Sequence, residues 1–492
     1  MNPASRSDRD NSSHATRRVA KNTAYLALAD MAGKTMAFFY YLLAARHLGV
    51  EKYGVLSFAM AFTTMLGVLT DLGLGTIATR EIAHDPEQAR RHVNDALTIR
   101  LVASVVIIAV IAVLVNLLGY PWTTIRVVYI CSISVLTNAV ASLLCSVFQG
   151  FERMELLTLN RASQTAVLVV GAFLLLRGPS AVEPYALLYV VAGVASVVVG
   201  GINAAPRLVR PTLSFDVGHW WESLRASTPI GLATVFTMFY YWSGTTLLSK
   251  MSGNSAVGNY SAAFRLATAL AFVGMAFSGA VYPLFSRLFV TNTNRLARAL
   301  ELSTKYMIWI TLPAAAFGTV FARPAVLLLY GSGYQGASAV LRVLVWWGAF
   351  ASMNSVFSNY LISVRRPGAV ALQTGLSLAV NLCLAFVLIP VLGALGAAVS
   401  LVTSEIAGSV YLVALLLRSP GRVRVRPMVL NALRLLLALA LAVIVAAAVA
   451  RWNQGVGLVA GLVAYCMSLV AVKVVGRDDL RALRPLLRGS GE

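Results

Sequence analysis

The stretch Thr98-Ile-Arg-Leu-Val-Ala-Ser-Val-Val-Ile-Ile-Ala-Val-Ile-Ala-Val-Leu-Val-Asn-Leu-Leu118 contains a single charged residue, Arg100. An α-helix needs about 20 apolar residues to cross the roughly 30 Å hydrocarbon core of a bilayer, and this stretch has that length. It is longer than a β-strand, and lipid offers its backbone no hydrogen-bond partner, so it must be helical. The stretch therefore predicts a transmembrane helix.

Similar apolar runs recur along the whole chain of 492 residues. Of these residues 58% are apolar and only 12% are charged, whereas a soluble domain carries about 25% charged residues. The composition predicts an all-α polytopic membrane protein with about fourteen transmembrane helices. The predicted spans are 23–45, 55–78, 98–118, 123–148, 157–176, 185–204, 226–248, 260–286, 304–322, 337–362, 369–390, 394–417, 429–450 and 456–475.

The basic residues indicate an orientation. The chain has 40 Lys and Arg against 19 Asp and Glu, a formal charge of +21. With the N-terminus inside, 30 of the 40 bases, Arg100 among them, fall in cytoplasmic segments, and three lie within spans. Basic residues concentrate on the cytoplasmic side of membrane proteins, so both termini are predicted to be cytoplasmic, in a cell (inner) membrane. No basic patch alternates with aromatic residues, which argues against a nucleic-acid partner.

A weak internal repeat predicts two six-helix lobes. His47–Gly54 and Gly253–Tyr260 both join two apolar helices through a short outer loop with glycine and tyrosine, about 206 residues apart. Copies that run in the same direction, six spans apart, indicate two lobes related by an axis along the membrane normal. The predicted divisions are a basic cytoplasmic tail (1–21), an N-terminal lobe (22–204), a cytoplasmic linker (205–225), a C-terminal lobe (226–418), two extra spans (429–475) and an amphipathic cytoplasmic tail (476–492).

The sequence contains no recognisable catalytic or metal-binding constellation. The five histidines lie outside the predicted spans, and the four cysteines lie in apolar runs without metal-ligand spacing. The outer loops are also too short to hold an active site. We therefore expect a transporter without an ATPase domain and without a cofactor. Its energy would come from an ion gradient (H⁺ or Na⁺), the membrane potential or the substrate gradient.

Six ionisable residues fall within the predicted spans, where charges are costly and usually face a cavity or a partner. Asp30 and Lys34 are four residues apart on one helix and can pair; the pair either cancels its own charge or faces a cavity. Arg265 lies a turn or two into its helix, where a guanidinium can bind phosphate through two hydrogen bonds. Arg342 either extends to the outer interface or serves function.

Two carboxylates and an aromatic cluster complete the candidate residues. Asp71, near the cytoplasmic end of the second span, is interpreted as a cap or a gating contact. Glu405, in the middle of its span, is either a hydrogen-bonded contact between helices or a coupling carboxylate. Tyr240, Tyr241 and Trp242 either pack in the protein or stack on sugar rings.

Several motifs, in order along the chain, resemble one family. Leu48-Gly-x-x-x-Tyr53-Gly54 and Asp71–Ala83 resemble the opening of polysaccharide-biosynthesis flippases, and Leu329–Tyr334, Arg365–Gly368 and Asn381–Ala398 resemble its later part. The chain is thus similar to the Wzx-type oligosaccharide flippases of the multidrug/oligosaccharidyl-lipid/polysaccharide exporter superfamily. The resemblance implies two six-helix lobes around a central cavity, with the last two spans guiding a lipid tail.

The resemblance also implies a function. A flippase of this kind moves a polyprenyl-pyrophosphate-linked oligosaccharide from the cytoplasmic to the outer leaflet by alternating access, for O-antigen, capsule or exopolysaccharide synthesis. Its partners would be the lipid-linked substrate, membrane lipids, and the polysaccharide polymerase and chain-length machinery. The residues assigned on this basis are Lys34, Arg265 and Arg342 for the pyrophosphate, Tyr240, Tyr241 and Trp242 for the glycan, and Asp30, Asp71 and Glu405 for coupling or gating. The alternatives are a cation-coupled drug or small-molecule exporter of the same superfamily, and a non-transporting partner in polysaccharide assembly.

Overall fold

Most of the chain that the structure describes is helical, and the described residues contain no β-strand. This computed structural model describes the backbone of residues 4–204, 208, 212–418, 425–450 and 454–471, and the side chains from residue 33 onward except at 425–434 and a few other positions. The helices are α1 (Ala4–Gly67), α2 (Leu74–His84), α3 (Ala89–Leu117), α4 (Trp122–Gly150), α5 (Met154–Leu175), α6 (Val182–Ala204), α7 (Val217–Thr291), α8 (Thr293–Val320), α9 (Ala322–Tyr330), α10 (Gln335–Ser363), α11 (Pro367–Leu392), α12 (Ala394–Leu417), α13 (Val425–Ala450) and α14 (Gln454–Ala471).

The two longest helices, α1 and α7, are each two helices joined at a glycine. Gly49 has φ 73° and ψ 171°, and Gly253 has φ 82° and ψ 177°. This backbone conformation is accessible mainly to glycine because a β-carbon would clash there. The two breaks are 204 residues apart, so they support the internal repeat and correct its predicted spacing of about 206.

The prediction of an all-α membrane fold is confirmed. Within the described residues, nine helices are long and apolar enough to cross a membrane, or ten if α8 and α9, bent by 73°, form one span. That count takes α1 and α7 once each, and it leaves out α13 and α14, whose described apolar parts are shorter. The number of about fourteen spans therefore stays a prediction.

The predicted second span, 55–78, is wrong at its end. The helix stops at Gly67 and continues only as a 3₁₀ turn, Val68–Thr70. Leu72 and Gly73 then take positive φ values of 40° and 84°, which an α-helix cannot continue through. The short helix α2 begins after this turn. Hydropathy missed the break because the residues on both sides of it are apolar.

The chain forms two compact units, Met1–Gly258 and Asn259–Glu492. In the first, α4 packs on α3 and α6, and α5 packs on α1 and α6. In the second, α10 packs on α8 and α12, α11 on α12, and α13 on both α14 and α8. The predicted divisions of the chain, including a linker at 205–225, stay predictions, and the tail predicted at 476–492 lies outside the described residues.

Candidate functional site

The first unit contains an open cavity of about 310 Å³, which we call the polar cavity. Its walls come from the second half of α1, the turn that follows it, α4 and one residue of α7. Hydroxyl and amide groups supply most of the polar lining, so the cavity suits a ligand that offers many hydrogen-bonding groups. The lining residues are Thr63, Thr64, Gly67, Val68, Thr70, Asp71, Ser134, Val135, Asn138, Ala139, Ser142 and Met238.

The charge of Asp71 in this lining is balanced by Arg100 of α3. The Arg100 guanidinium donates to Asp71 Oδ1, and it also donates to Ala139 O at 2.9 Å and to Ser142 Oγ at 2.8 Å. Only 1% of the Arg100 side chain is exposed, against 36% for Asp71. The ion pair therefore ties the turn after α1 to both α3 and α4, and it leaves the cavity without a net charge from these two residues.

The local sequence explains why the chain can turn so closely over Arg100. Gly75, in the first turn of α2, donates its backbone N–H to Asp71 Oδ1 at 2.9 Å, so Asp71 also caps the start of that helix. A β-carbon on Gly75 would lie 2.7 Å from Arg100 Nη2. Only glycine leaves room for the guanidinium at this position.

Sequence reasoning missed the role of Arg100. Counting it as one of the cytoplasmic bases treats it as a topology signal, whereas the structure buries it in the first unit. The available signal was its position three residues into the apolar stretch 98–118, one helix after a lone aspartate. Since an intramembrane charge usually has a partner, pairing it with Asp71 was a testable alternative.

At the Asp71 end of the cavity, the first half of α7 crosses the chain turn in backbone contact. A β-carbon on Gly231 would overlap the backbone of Leu72. One on Gly73 would lie 2.7 Å from Ser227 O. We call these four residues the inner crossing, following the predicted orientation.

A second close contact, the outer crossing, lies beyond the other end of the cavity. A β-carbon on Gly54 would overlap the backbone of Asn254, and one on Gly258 would overlap the backbone of Val50. Met238, which lines the cavity, lies between the two crossings along α7. Within the first unit, α7 therefore contacts the backbone of α1 at the outer crossing and that of the turn after α1 at the inner crossing.

The second unit contains a polar network around Glu405 of α12, whose exposure is 6%. Asn354 of α10 donates its side-chain amide to Glu405 Oε1 at 2.7 Å and to Glu405 O at 3.2 Å. Ser409 Oγ donates to Asn354 Oδ1 at 2.8 Å. Glu405 is therefore held between two packed helices, where its carboxyl group has hydrogen-bond partners and little access to water.

The second unit also contains an apolar cavity of about 500 Å³. It is lined by α7, α8, α9, α10 and α14. Tyr465, at its edge, turns its hydroxyl to Trp309 O at 2.9 Å. Such a lining suits a hydrocarbon ligand. Residues on its walls include Leu266, Ile310, Phe317, Phe321, Val345 and Leu462.

The other predicted site residues are not among those that line these two cavities. Lys34 and Arg342 are exposed, and Arg265 is half-buried. In the aromatic cluster next to Met238, Tyr240 is buried, and its ring centroid lies 5.7 Å from that of Tyr241. Tyr241 and Trp242 are half-buried. The side chain of Asp30 lies outside the described residues, so its pairing with Lys34 stays a prediction, as do the substrate and coupling roles assigned to this set.

No metal site is evident in the described part of the chain. No group of three or more His, Cys, Asp or Glu side chains there could hold a metal ion. The side-chain chemistry on hand is that of hydrogen bonding, charge pairing and apolar contact.

Comparison with family models gives two matches. A model described as polysaccharide biosynthesis protein matches residues 19–289, which is more than half of the chain. A model described as lipid II flippase MurJ matches residues 228–467. The two matches overlap along α7 and together cover most of both units.

Curated relatives and solved structures agree with these matches. The chain is 23% identical over 386 residues to a probable low-salt glycan biosynthesis flippase, Agl15, from Haloferax volcanii, covering 78% of this chain and 80% of the relative. It is 23% identical over 402 residues to a putative O-antigen transporter from Escherichia coli K12, covering 79% of this chain and 94% of the relative.

The fold is similar to that of lipid II flippase MurJ in an inward closed conformation, with TM-score 0.74 and 13% identity over 92% of this chain and 99% of that one. An inward-facing multidrug resistance MATE transporter shares the fold with TM-score 0.59 and 15% identity over 79% and 97%.

Proposed function

We propose, because the chain belongs to the polysaccharide biosynthesis protein family, that it is a flippase for a lipid-linked oligosaccharide. Its substrate would be a polyprenyl-pyrophosphate-linked repeat unit, moved from the cytoplasmic to the outer leaflet for surface polysaccharide synthesis. The relatives named glycan biosynthesis flippase and O-antigen transporter support a transporter of this class rather than an enzyme.

The observation that carries this proposal is the contrast between the two cavities. Six of the twelve residues that line the cavity of the first unit are threonine, serine or asparagine, and its one carboxylate is paired to Arg100. Sugar hydroxyls would find donors and acceptors there without meeting an unbalanced charge. The cavity of the second unit is lined almost entirely by apolar side chains, which suits a polyprenyl chain. A substrate with a glycan at one end and a hydrocarbon at the other needs both kinds of surface.

The phosphate groups need positive charge, for which Lys34, Arg265 and Arg342 remain our candidates. An inside-negative potential favours outward movement of an anion by about 2.3 kcal/mol per charge per 100 mV. Glu405 and Asp30 are the candidates for coupling transport to H⁺ or Na⁺. Glu405 fits this role because it is a buried carboxyl group with a hydrogen bond to Asn354 of a neighbouring helix. Binding of H⁺ or Na⁺ would neutralise its charge.

Movement would take the form of alternating access. The inner and outer crossings both hold α7 against the first unit through backbone contacts at glycine. Opening one crossing while the other stays closed would expose the polar cavity to one side only. In this structure α7 makes both backbone contacts.

Flipping by the purified chain tests the proposal directly. The full-length protein is reconstituted in liposomes with a fluorescent polyprenyl-pyrophosphate-linked disaccharide, and loss of the label to a membrane-impermeant quencher reports transfer between leaflets. We expect transfer above that of protein-free liposomes. Asn138→Ala, in the polar cavity, should slow it, whereas Asn116→Ala, an exposed asparagine of α3 outside the cavity lining, should not. No transfer by a folded wild-type protein would overturn the proposal.

The likeness to MATE transporters keeps a second candidate, a cation-coupled exporter of drugs or small molecules. A site for organic cations is expected to present a carboxylate that no cation already balances. In the described polar cavity Asp71 is already paired with Arg100, which favours the glycan substrate. The same liposomes loaded with a cationic dye separate the two: dye efflux without transfer of the lipid-linked sugar would favour the exporter.

Cellular context follows as part of the same proposal. The substrate of such a flippase is made on the cytoplasmic face and consumed on the outer face. We therefore propose a location in the inner (cell) membrane with both termini cytoplasmic, and association with membrane lipids and with a polysaccharide polymerase and its chain-length machinery.

A further inference from the structure

A short extended segment, Thr212–Asp216, is fastened to α3 just before α7 begins; we call it the strap. The Thr212 backbone N–H donates to Asn94 Oδ1 at 2.7 Å, and Asn94 Nδ2 donates to Thr212 Oγ1 at 2.7 Å. The Ser214 N–H donates to Thr98 Oγ1 at 3.0 Å. An extended segment has no backbone partners of its own, so the side chains of α3 supply them.

The residues of α3 that meet the strap and the start of α7 lie on one face of that helix. Arg91, Asn94, Asp95 and Thr98 follow the i, i+3, i+4, i+7 spacing that places side chains on the same side. At the first of these positions, Arg91 Nη2 lies 3.9 Å from Asp216 Oδ2. This face is therefore complementary to the strap along its length.

One of these side chains, Asp95, lies in an environment that is unusual for a carboxylate. Its side chain is only 3% exposed, and within the described residues neither of its oxygens has a hydrogen-bond partner. Within the described residues, the ring of His219 in the first turn of α7 lies beside it, with Nε2 3.5 Å from Asp95 Oδ2. A buried carboxylate without a positive partner is strongly destabilising.

The imidazole of His219 faces a carboxylate on each side. Its Nε2 lies 3.5 Å from Asp95 Oδ2 without forming a hydrogen bond, and its Nδ1 lies 3.3 Å from Glu222 Oε2. A neutral imidazole carries one N–H and can donate to only one of them, whereas an imidazolium has an N–H for each. A small approach of the ring to Asp95 would let the imidazolium bind both carboxylates.

We propose that Asp95 and His219 form a proton-dependent latch, which holds the strap and the N-terminal end of α7 against α3 when His219 is protonated. The proposal concerns the movement of α7 and does not depend on which substrate the chain carries. Its consequence reaches the site because Ser227 and Gly231 of the inner crossing, and Met238 of the polar cavity, lie further along the same helix.

The groups around His219 set the direction of the effect. The carboxylates around the His219 ring are those of Asp95, Glu222 and Asp216, and Asp216 Oδ1 accepts from the His219 backbone N–H at 3.3 Å. The ring of His92 of α3 is also near, with its centroid 6.1 Å from that of His219. Loss of the proton as pH rises leaves the buried Asp95 charge without a cation, so the latch loosens at high pH and tightens at low pH.

Hydrogen exchange at the strap amides tests the latch. In the full-length protein in nanodiscs, the N–H groups of Thr212 and Ser214 exchange only when the strap leaves α3. After correction for intrinsic exchange, we expect protection to fall about tenfold between roughly pH 5.5 and pH 8, the range in which histidine titrates. His219→Gln keeps a polar side chain but cannot titrate, so its protection should be low and independent of pH.

Matched variants complete the test. His84→Gln, at an exposed histidine of α2, should keep the wild-type pH dependence, and so should His92→Gln. Asp95→Asn should lose it, because the amide leaves no buried charge for the imidazolium to balance. Protection that is equal across this pH range in the wild type, or a pH dependence that persists in His219→Gln, would overturn the latch.

Discussion

Replacing Arg100 by methionine should cost the first unit about 3–5 kcal/mol, the usual effect of removing one partner of a buried charged pair. The substitution removes the bonds that the guanidinium donates to Asp71, Ala139 O and Ser142 Oγ. Methionine is flexible and apolar and fills much of the vacated space, so loss of the charge pair should contribute more to the cost than an empty cavity. Asp71→Asn keeps an oxygen acceptor for the guanidinium but leaves the Arg100 charge, on a side chain that is only 1% exposed, without a counter-ion, so it should also be strongly destabilising.

Thermal unfolding of the purified full-length chain in detergent measures this cost. At about 2.1 cal/mol/K per residue, the unit Met1–Gly258 changes its unfolding entropy by about 0.5 kcal/mol/K. A loss of 3–5 kcal/mol therefore corresponds to a fall in melting temperature of about 6–9 °C if this unit unfolds by itself. The double variant Asp71→Asn with Arg100→Met should fall by less than the sum of the single variants, since the residues are in direct contact.

Arg126→Met is the matched control. Arg126 also forms an arginine–carboxylate pair, to Glu183 at 2.8 Å, but 48% of its side chain is exposed. Exposed pairs contribute less than about 1 kcal/mol, so this variant should melt within about 2 °C of the wild type. If Arg100→Met melts no lower than Arg126→Met, the buried pair does not hold the turn as argued.

Three further substitutions test the site. Gly231→Val should force α7 away from the turn after α1, so that cysteines placed at the inner crossing are labelled faster and flipping is slower. Gly201→Val, with no neighbour within 4 Å of its β-carbon, should behave as the wild type. Glu405→Gln keeps an acceptor for Asn354, so it should fold normally yet lose the response of flipping to an imposed ion gradient; unchanged ion dependence would remove Glu405 from coupling. Arg265→Ala should stall export and leave lipid-linked units facing the cytoplasm; wild-type levels of surface polysaccharide in cells would contradict its assignment.

Span positions were the part of the fold that sequence reasoning could predict. A hydrocarbon core of roughly 30 Å demands long apolar helices, and the stretch 98–118 lies within α3, Ala89–Leu117, apart from its last residue. The ends of helices were harder to predict, as the turn at 71–73 shows. There the backbone reverses through positive φ values, which hydropathy does not register.

Side-chain partners across the fold could not be read from the sequence in the same way. Asp71 and Arg100 are 29 residues apart, and Asn354 and Glu405 are 51 apart. Each pair joins different helices, so its formation depends on how those helices pack. The sequence indicates that an intramembrane charge needs a partner, and only the packing says which one.

The outer crossing shows why the repeat was found in the wrong register. The spacing of about 206 aligns Tyr53 near Tyr260, two buried tyrosines, but burial of a large side chain is a loose requirement that many residues meet. A positive φ or a backbone contact is a strict one. At the spacing of 204 residues set by the breaks at Gly49 and Gly253, Gly54 becomes equivalent to Gly258.

The contacts of these glycines are then equivalent as well. Gly54 meets the backbone of Asn254, and Gly258 meets the backbone of Val50, which stand at matching positions of the two repeats. Such reciprocity is the signature of a two-fold contact, in which each copy offers the other the same surface. A glycine in one copy is then useful only if the other copy has one at the matching place, because a side chain at either position would separate the helices on both sides of the axis. A substitution of either Gly54 or Gly258 is therefore expected to disturb the same contact.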